Sequence, residues 1–274
     1  MSPVFAAMLA AALSPAPASR LMLRFAAVFA AGLAAGVMNS VSGGGSILTF
    51  PTLLWLGIPG KLASATNSLA VWPGTLTGAW GLRREFPAGA KPMLKKWLVP
   101  ALAGGALGAW LLRRTPNHWF AQLAPLLVLA ATLALALDPV LSRWIPRREG
   151  GPAASHILAG GGLVLAVAIY GGYFGAGMGI LILSALAVVG LRDLRSGIGV
   201  KNLLACAIKS LAIAYYITQG MIVWTAGLGM AAGCALGGWS GAHITRRLPS
   251  AWLRGIMLVM GGLIALRLIL TRHL

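Results

Sequence analysis

The residues best placed to do chemistry in this sequence are glycines. Ser42-Gly43-Gly44-Gly45-Ser46 and Gly175-Ala176-Gly177-Met178-Gly179 interrupt two apolar runs, 21–57 and 157–191. Each run is too long for one straight membrane span of about 20 residues. In hydrocarbon every backbone polar group needs a partner, so irregular backbone survives only where it is buried in protein or lines a wet cavity. Glycine permits the sharp turn. A helix restarting at Ser46, and another restarting near Gly179, would each aim free N–H groups and a positive dipole end at its break. Such ends bind anions. The competing role is close helix packing, since glycine is common in membrane helices. Recurrence of the break in both halves favours binding, because paired interrupted segments mark a carrier's site.

Polar side chains inside apolar segments come next. Thr66, Asn67 and Ser68 lie near the start of one segment, and Lys201 and Asn202 near the start of another. Amides at Asn67 and Asn202 could donate to an anion beside the helix ends, or could bond between helices. Lys209 stands alone in an apolar stretch about 12 residues into its segment, near mid-membrane at ~1.5 Å per residue. A cation there is costly and is a functional candidate by default. The acids Glu85, Asp138, Glu149 and Asp193 all sit at segment ends. A cation pathway or carboxylate proton relay needs acids within the segments. Their absence points to an anionic substrate. The candidate binding set is therefore Ser42, Gly43, Gly44, Gly45, Ser46, Asn67, Gly175, Gly177, Gly179, Asn202 and Lys209.

Several other chemistries are disfavoured. Neither glycine run has the Gly-Lys-Ser/Thr of a phosphate loop or the dinucleotide spacing after a strand. Gly238-Trp239-Ser240-Gly241 with His243 resembles an intramembrane serine protease string. However, Ser240 and His243 share one helix, and the same stretch forms a ladder at Gly229, Gly233, Gly237 and Gly241 that suits helix packing. No His-Glu-x-x-His is present, and Cys206 and Cys234 lie in apolar runs as packing residues. No catalytic residue, metal or cofactor is expected.

The elements that must position these residues are membrane helices. Hydrophobic residues make up 58% of the 274, charged residues only 9%, and mean hydropathy is +0.84. A soluble domain carries roughly 25% charged residues. The balance of 22 Lys/Arg to 4 Asp/Glu gives +18. It does not imply nucleic acid, because the cations flank apolar runs in pairs such as Arg83-Arg84 and Arg246-Arg247. That is the pattern of cytoplasmic membrane flanks. Besides the two broken runs, segments fall at about 62–82, 97–112, 119–137, 197–218, 221–242 and 252–266. Trp97, Trp119, Trp144, Trp224 and Trp252 near their ends read as interfacial anchors.

The chain repeats itself. Asn39 through Leu48 aligns with Gly172 through Leu181, and with a small gap Asn67 falls on Asn202. The expected fold is all-α and polytopic, about eight segments in two repeats of four, with the first segment of each repeat broken or re-entrant. Residues 1–20 form an N-terminal extension, 21–138 the first repeat, 139–155 a cytoplasmic linker and 156–274 the second repeat. Re-entrant hairpins leave three crossings per half, which inverts the halves. They also fit the positive-inside rule slightly better than full crossings do.

At this point the residues resemble a known family. Gly32 through Asn67 with Ser-Gly-Gly-Gly-Ser and Ala65-Thr66-Asn67-Ser68, then Gly171 through Gly179, then Gly220, Trp224, Gly233, Gly237, Gly241 and Arg246, look like the TauE/SafE sulfite exporter family. The resemblance covers roughly 24–270. Ala176 and Met178 depart from its denser second glycine run, and Lys209 has no clear place in its pattern. It implies a bacterial inner-membrane carrier of sulfite, sulfonates or related organic anions. The expected partners are a small anion and the lipid bilayer, with a homodimer admitted and no nucleic acid. An anion channel is the alternative, and an intramembrane enzyme or assembly factor a more distant one.

Overall fold

A computed structural model describes residues 18–41, 44–81, 90–144, 154–188 and 194–244, with isolated positions between 255 and 266. Every element assigned among them is a helix: α1 Ala18–Val41, α2 Ser46–Trp55, α3 Gly60–Gly81, α4 Ala90–Arg114, α5 Asn117–Trp144, α6 Ala154–Tyr173, α7 Met178–Val188, α8 Leu194–Thr218 and α9 Trp224–Ile244. Two helices are short, α2 with 10 residues and α7 with 11. Each follows directly on a long one, so the two glycine runs do break helices. The second helix restarts at Met178, one residue before the expected position.

Helix ends follow local chemistry. Gly57 at φ +82 ends α2: the Gly57 N–H donates to Leu54 O and the Ile58 N–H to Leu53 O. Gly220 at φ +63 ends α8 the same way, through Ile217 O and Tyr216 O. A left-handed glycine satisfies the last carbonyls of a helix in this motif. Pro116 precedes α5, where a missing N–H costs nothing.

The distribution of polarity is inverted relative to a soluble bundle. Asn67, Asn202, Lys201 and Lys209 are buried, whereas Phe25, Trp80, Val99, Leu126, Leu228 and Trp239 are exposed. Exposed apolar surface on this scale needs an apolar solvent. Met22–Ser40 and Gly197–Thr218 are long and apolar enough to cross a bilayer. Trp119 and Trp224 face outward as expected of anchors, but Trp97 is buried and packs with Ala101, Val164 and Leu204. Its ring fills core space, so Trp97 is not an interfacial anchor. The side chains of Trp144 and Trp252 lie outside the described residues.

Glycines set the packing. Gly233 meets Phe29, Gly237 meets Leu33 and Gly241 meets Val37, so α9 runs parallel to α1 with backbones in contact. The glycine ladder is thus a packing face, and the Ser240 hydroxyl donates to Leu236 O of its own helix at 2.8 Å. The His243 side chain lies outside the described residues. On the other side, Gly104, Gly105 and Gly108 of α4 meet Leu165, Ile208 and Ile169. The pairings correspond: α1–α9 and α3–α9 recur as α6–α4 and α8–α4, while α3 packs on α8 between them.

These contacts also give direction. α3 runs alongside α9, Thr66 meeting Val223 and Gly74 meeting Cys234. α1 and α3 therefore begin at the same end, and α2 is the limb that returns the chain there. Gly45 sits back against Ala35 and Asn39, as a reversal requires. At the other break Met178 folds back onto Gly171.

Candidate functional site

The first break is held by side chains. The Asn39 side-chain oxygen accepts from the Gly45 N–H at 3.0 Å, and Lys201 Nζ donates to Asn39 O at 2.7 Å. Asn39 O lies at the last turn of α1, where carbonyls lack helical partners and the dipole end is negative, so a cation is favoured there. The second break is held by backbone conformation. Gly175 and Gly177 take φ +76 and +69, which only glycine adopts cheaply. The Tyr170 hydroxyl donates to Ala176 O at 2.6 Å, and the Tyr216 hydroxyl donates to Gly172 O. Asn39 and Gly172 are the residues that the repeat aligns, and both carbonyls are capped from α8.

Between the breaks lies a cavity of about 10 Å³. Ser46, Gly175, Gly179, Asn202 and Lys209 line it, together with Asn39, Thr75, Met178, Lys201 and Ala205. Asn202 and Lys209 are seven residues apart on α8, so both stand on one face. A Cβ on Gly175 would lie 3.3 Å from Lys209 Nζ, so the second break passes against the ammonium. Gly78 leaves room for Ser40 and the Asn202 amide, 3.0 and 3.1 Å from where its Cβ would be.

The hydrogen-bond inventory is incomplete at this place. Lys209 Nζ, both amide atoms of Asn202 and the Asn67 nitrogen are buried and have no hydrogen-bond partner among the described residues. A buried polar group without a partner costs about 1–3 kcal/mol, more if charged. At Lys209 and Asn202, which share the cavity, such atoms call for a ligand or water.

Of the eleven residues expected from the sequence, five thus share one cavity. Gly44, Gly45 and Gly177 are buried beside it without lining it, Gly177 packed on Ala131 of α5. Asn67 accepts from the Thr49 hydroxyl at 2.5 Å and keeps its amide N–H groups open. Ser42 and Gly43 lie outside the described residues. Asn39, Thr75 and Lys201 line the cavity without having been expected there from the sequence. The signal for Lys201 was available, a second basic residue within the apolar segment that carries Lys209. Both cysteines are free and buried. No group of His, Cys, Asp and Glu suited to a metal occurs among the described residues.

A second, larger cavity of about 390 Å³ lies towards the end where α3 begins. Its lining includes Phe50, Leu54, Gly60, Lys61, Asn117 and Phe120. Ser46, Phe50 and Leu54 are four apart on α2, so one face of that helix runs from the inner cavity to the outer. Phe174, next to Gly175, meets Phe50 edge-on at 4.9 Å and Phe120 at 6.4 Å. Phe50 and Phe120 belong to the lining of the outer cavity, and Phe174 is the chain neighbour of Gly175 in the inner one.

Residues 28–268 match the family described as Sulfite exporter TauE/SafE. A probable membrane transporter protein of Haemophilus influenzae is 25% identical over 247 residues, 89% of this chain and 94% of its own. The probable membrane transporter protein YfcA of Escherichia coli K12 is 24% identical over 90% of each chain. A probable membrane transporter protein of a Sinorhizobium species is 26% identical over 88% of this chain and 91% of its own. No solved structure matches the chain. Helices apolar enough to span, a polar centre built on two helix breaks, and a family match over most of the length lead to one assignment: the chain belongs to the TauE/SafE family of membrane transporters.

Proposed function

We propose that this chain is a carrier of a small anion, sulfite, a sulfonate or a related organosulfur or organic anion, across the bacterial cytoplasmic membrane. The observation that carries the reading is the set of buried, unpartnered polar atoms of Lys209 and Asn202 in the cavity between the two helix breaks, with the Asn67 amide open beside Thr49 of α2. Three of the four atoms are nitrogens that offer donors, and Lys209 supplies a cation with no hydrogen-bond partner among the described residues. Ser46 and Gly179 stand in the first turns of α2 and α7, whose N-termini carry the positive ends of the helix dipoles.

In this reading residues 21–138 and 156–274 are inverted repeats joined by a cytoplasmic linker at 139–155, and α1/α2 and α6/α7 are re-entrant hairpins. The corresponding helix pairings support it. A cavity of about 10 Å³ holds about one water. An anion therefore needs the halves to part, and the rings of Phe50 and Phe174 to separate, which favours alternating access over an open channel.

The test is uptake into vesicles reconstituted with the full chain, across sulfite, sulfoacetate, taurine, thiosulfate and carboxylates. Saturable uptake with counterflow of at least one sulfur-containing anion is the expected result. Linear uptake without counterflow would make the protein a channel. Uptake of no anion in the panel would remove the reading altogether.

A further inference from the structure

The outer cavity combines a charged end with an apolar wall. At one end it has a cation, Lys61, whose ammonium donates to Thr115 O at 2.6 Å and Arg113 O at 3.2 Å. Those partners are neutral carbonyls and not acids, and one N–H remains free. Arg113 adds a second positive charge nearby. Two helix N-termini reach the same rim, α3 at Gly60 and α5 at Asn117. Among the described residues no acid lines the cavity. The remaining wall is apolar: Phe50, Leu54 and Phe120, with Ala124 and Pro125 beyond. At about 390 Å³ it is within the range of small-molecule sites and far larger than the inner cavity.

We infer that this outer cavity is a second binding site of the transport pathway, and that it takes an organic anion with a short apolar tail. The head group lies at Lys61 and Asn117, and the tail lies along Phe50, Leu54 and Phe120. A bare inorganic anion would leave that wall uncovered, so the site discriminates by tail. The inference rests on the anion reading of the pathway and narrows its substrate towards organic sulfonates or carboxylates. The outer cavity has room for such a ligand while the inner cavity holds about one water.

The probe is a series of linear alkanesulfonates, methane to hexane, titrated by calorimetry against the full chain in lipid nanodiscs. Sulfonates remain monoanions throughout, so only the tail changes. Burying each methylene should tighten Kd by about fourfold until the wall is covered. Leu54→Trp, which narrows the cavity along its apolar wall, should flatten that dependence. Leu54→Ala should move its plateau to longer tails, which guards against misfolding in the larger variant. Lys61→Gln should weaken every member of the series by a similar factor.

A Kd that does not vary with tail length overturns the inference, and this is also the result if a lipid chain fills the cavity. So does a dependence that both Leu54 variants leave unchanged. Lys209→Met separates the two sites. If tail dependence survives in Lys209→Met, the outer site stands by itself. If tail dependence disappears in Lys209→Met, the tail is read at the inner site and the inference fails. Failure of vesicles to take up any anion, with tail dependence intact, would count against the carrier reading alone.

Discussion

The two helix breaks occupy corresponding positions in the chain, yet they are built with different chemistry. At the first, a charged side chain closes the helix end: Lys201 donates to Asn39 O, and the Asn39 amide holds the Gly45 N–H. At the second, left-handed glycines make the turn, and two phenols hold it, Tyr170 on Ala176 O and Tyr216 on Gly172 O. The first break therefore uses its nearest cation for structure. The second leaves its nearest cation, Lys209 beside Gly175, without a partner. Lys201 and Lys209 are eight residues apart on one helix, both buried and both lining the inner cavity, but only Lys209 lacks a hydrogen-bond partner among the described residues. Burial of a charge does not by itself mark a binding group; what matters is whether the fold has already satisfied it.

The largest effect should come from the open cation. Lys209→Met removes a charged donor from the proposed anion site, and hydrogen bonds to charged groups account for about 1.5–3 kcal/mol. Transport kcat/KM should fall by about 100-fold. Thermal stability should not fall, because the change removes an unpaired buried charge. A variant that transports at the wild-type rate, or that unfolds earlier than wild type, would erase the contrast between the two lysines.

Lys201→Met should do the reverse. It strands Asn39 O at the end of α1, at a cost of about 1–3 kcal/mol. Its unfolding temperature should drop below those of both wild type and Lys209→Met, measured in the same detergent. Equal unfolding temperatures for the two lysine variants would mean that the Asn39 cap carries no weight.

The fold class was legible because bilayer physics is strict: long apolar runs, a scarcity of acids and glycine interruptions rarely coincide outside a membrane bundle. Lys209, Asn202, Ser46, Gly175 and Gly179 could be named from their types and positions, and they line one cavity. Trp97 departs from its expected place, since a tryptophan near a segment end in sequence can still point inward, and this one is buried. Helices α4 and α5 extend beyond the expected segments, because their terminal turns carry polar and basic residues such as Lys95, Lys96 and Arg113. The role of Lys201 was not legible. It depends on a contact with Asn39, 162 residues away, and no local pattern encodes that pairing.

The asparagines offer a finer version of the same comparison. Asn202 has neither amide atom partnered, whereas Asn67 already accepts from Thr49. Asn202→Ala should cut transport by about 10-fold, the value of roughly one hydrogen bond to a ligand, with no loss of stability. Asn67→Ala should cost transport and also about 1 kcal/mol of stability, because Thr49 loses its acceptor. Equal stability losses in the two variants would indicate that Asn202 has a structural partner.

The smallest effect tests the phenol at the second break. Tyr216 lies on α8, fully buried, and its hydroxyl donates to Gly172 O across to α6. Tyr216→Phe keeps the ring in the core and deletes only the oxygen. Gly172 O then loses its cap, at a cost of about 1 kcal/mol, the lower end of the range for a buried acceptor. The cost should stay small because glycine lets Gly175 and Gly177 hold the turn without side-chain help. The first break has no left-handed glycine among its described residues, and there Lys201→Met should cost more. Comparing the unfolding temperatures of Tyr216→Phe and Lys201→Met therefore ranks the two ways of closing a break. A larger drop for Tyr216→Phe would mean that the phenol, and not the glycine geometry, is what holds the second break.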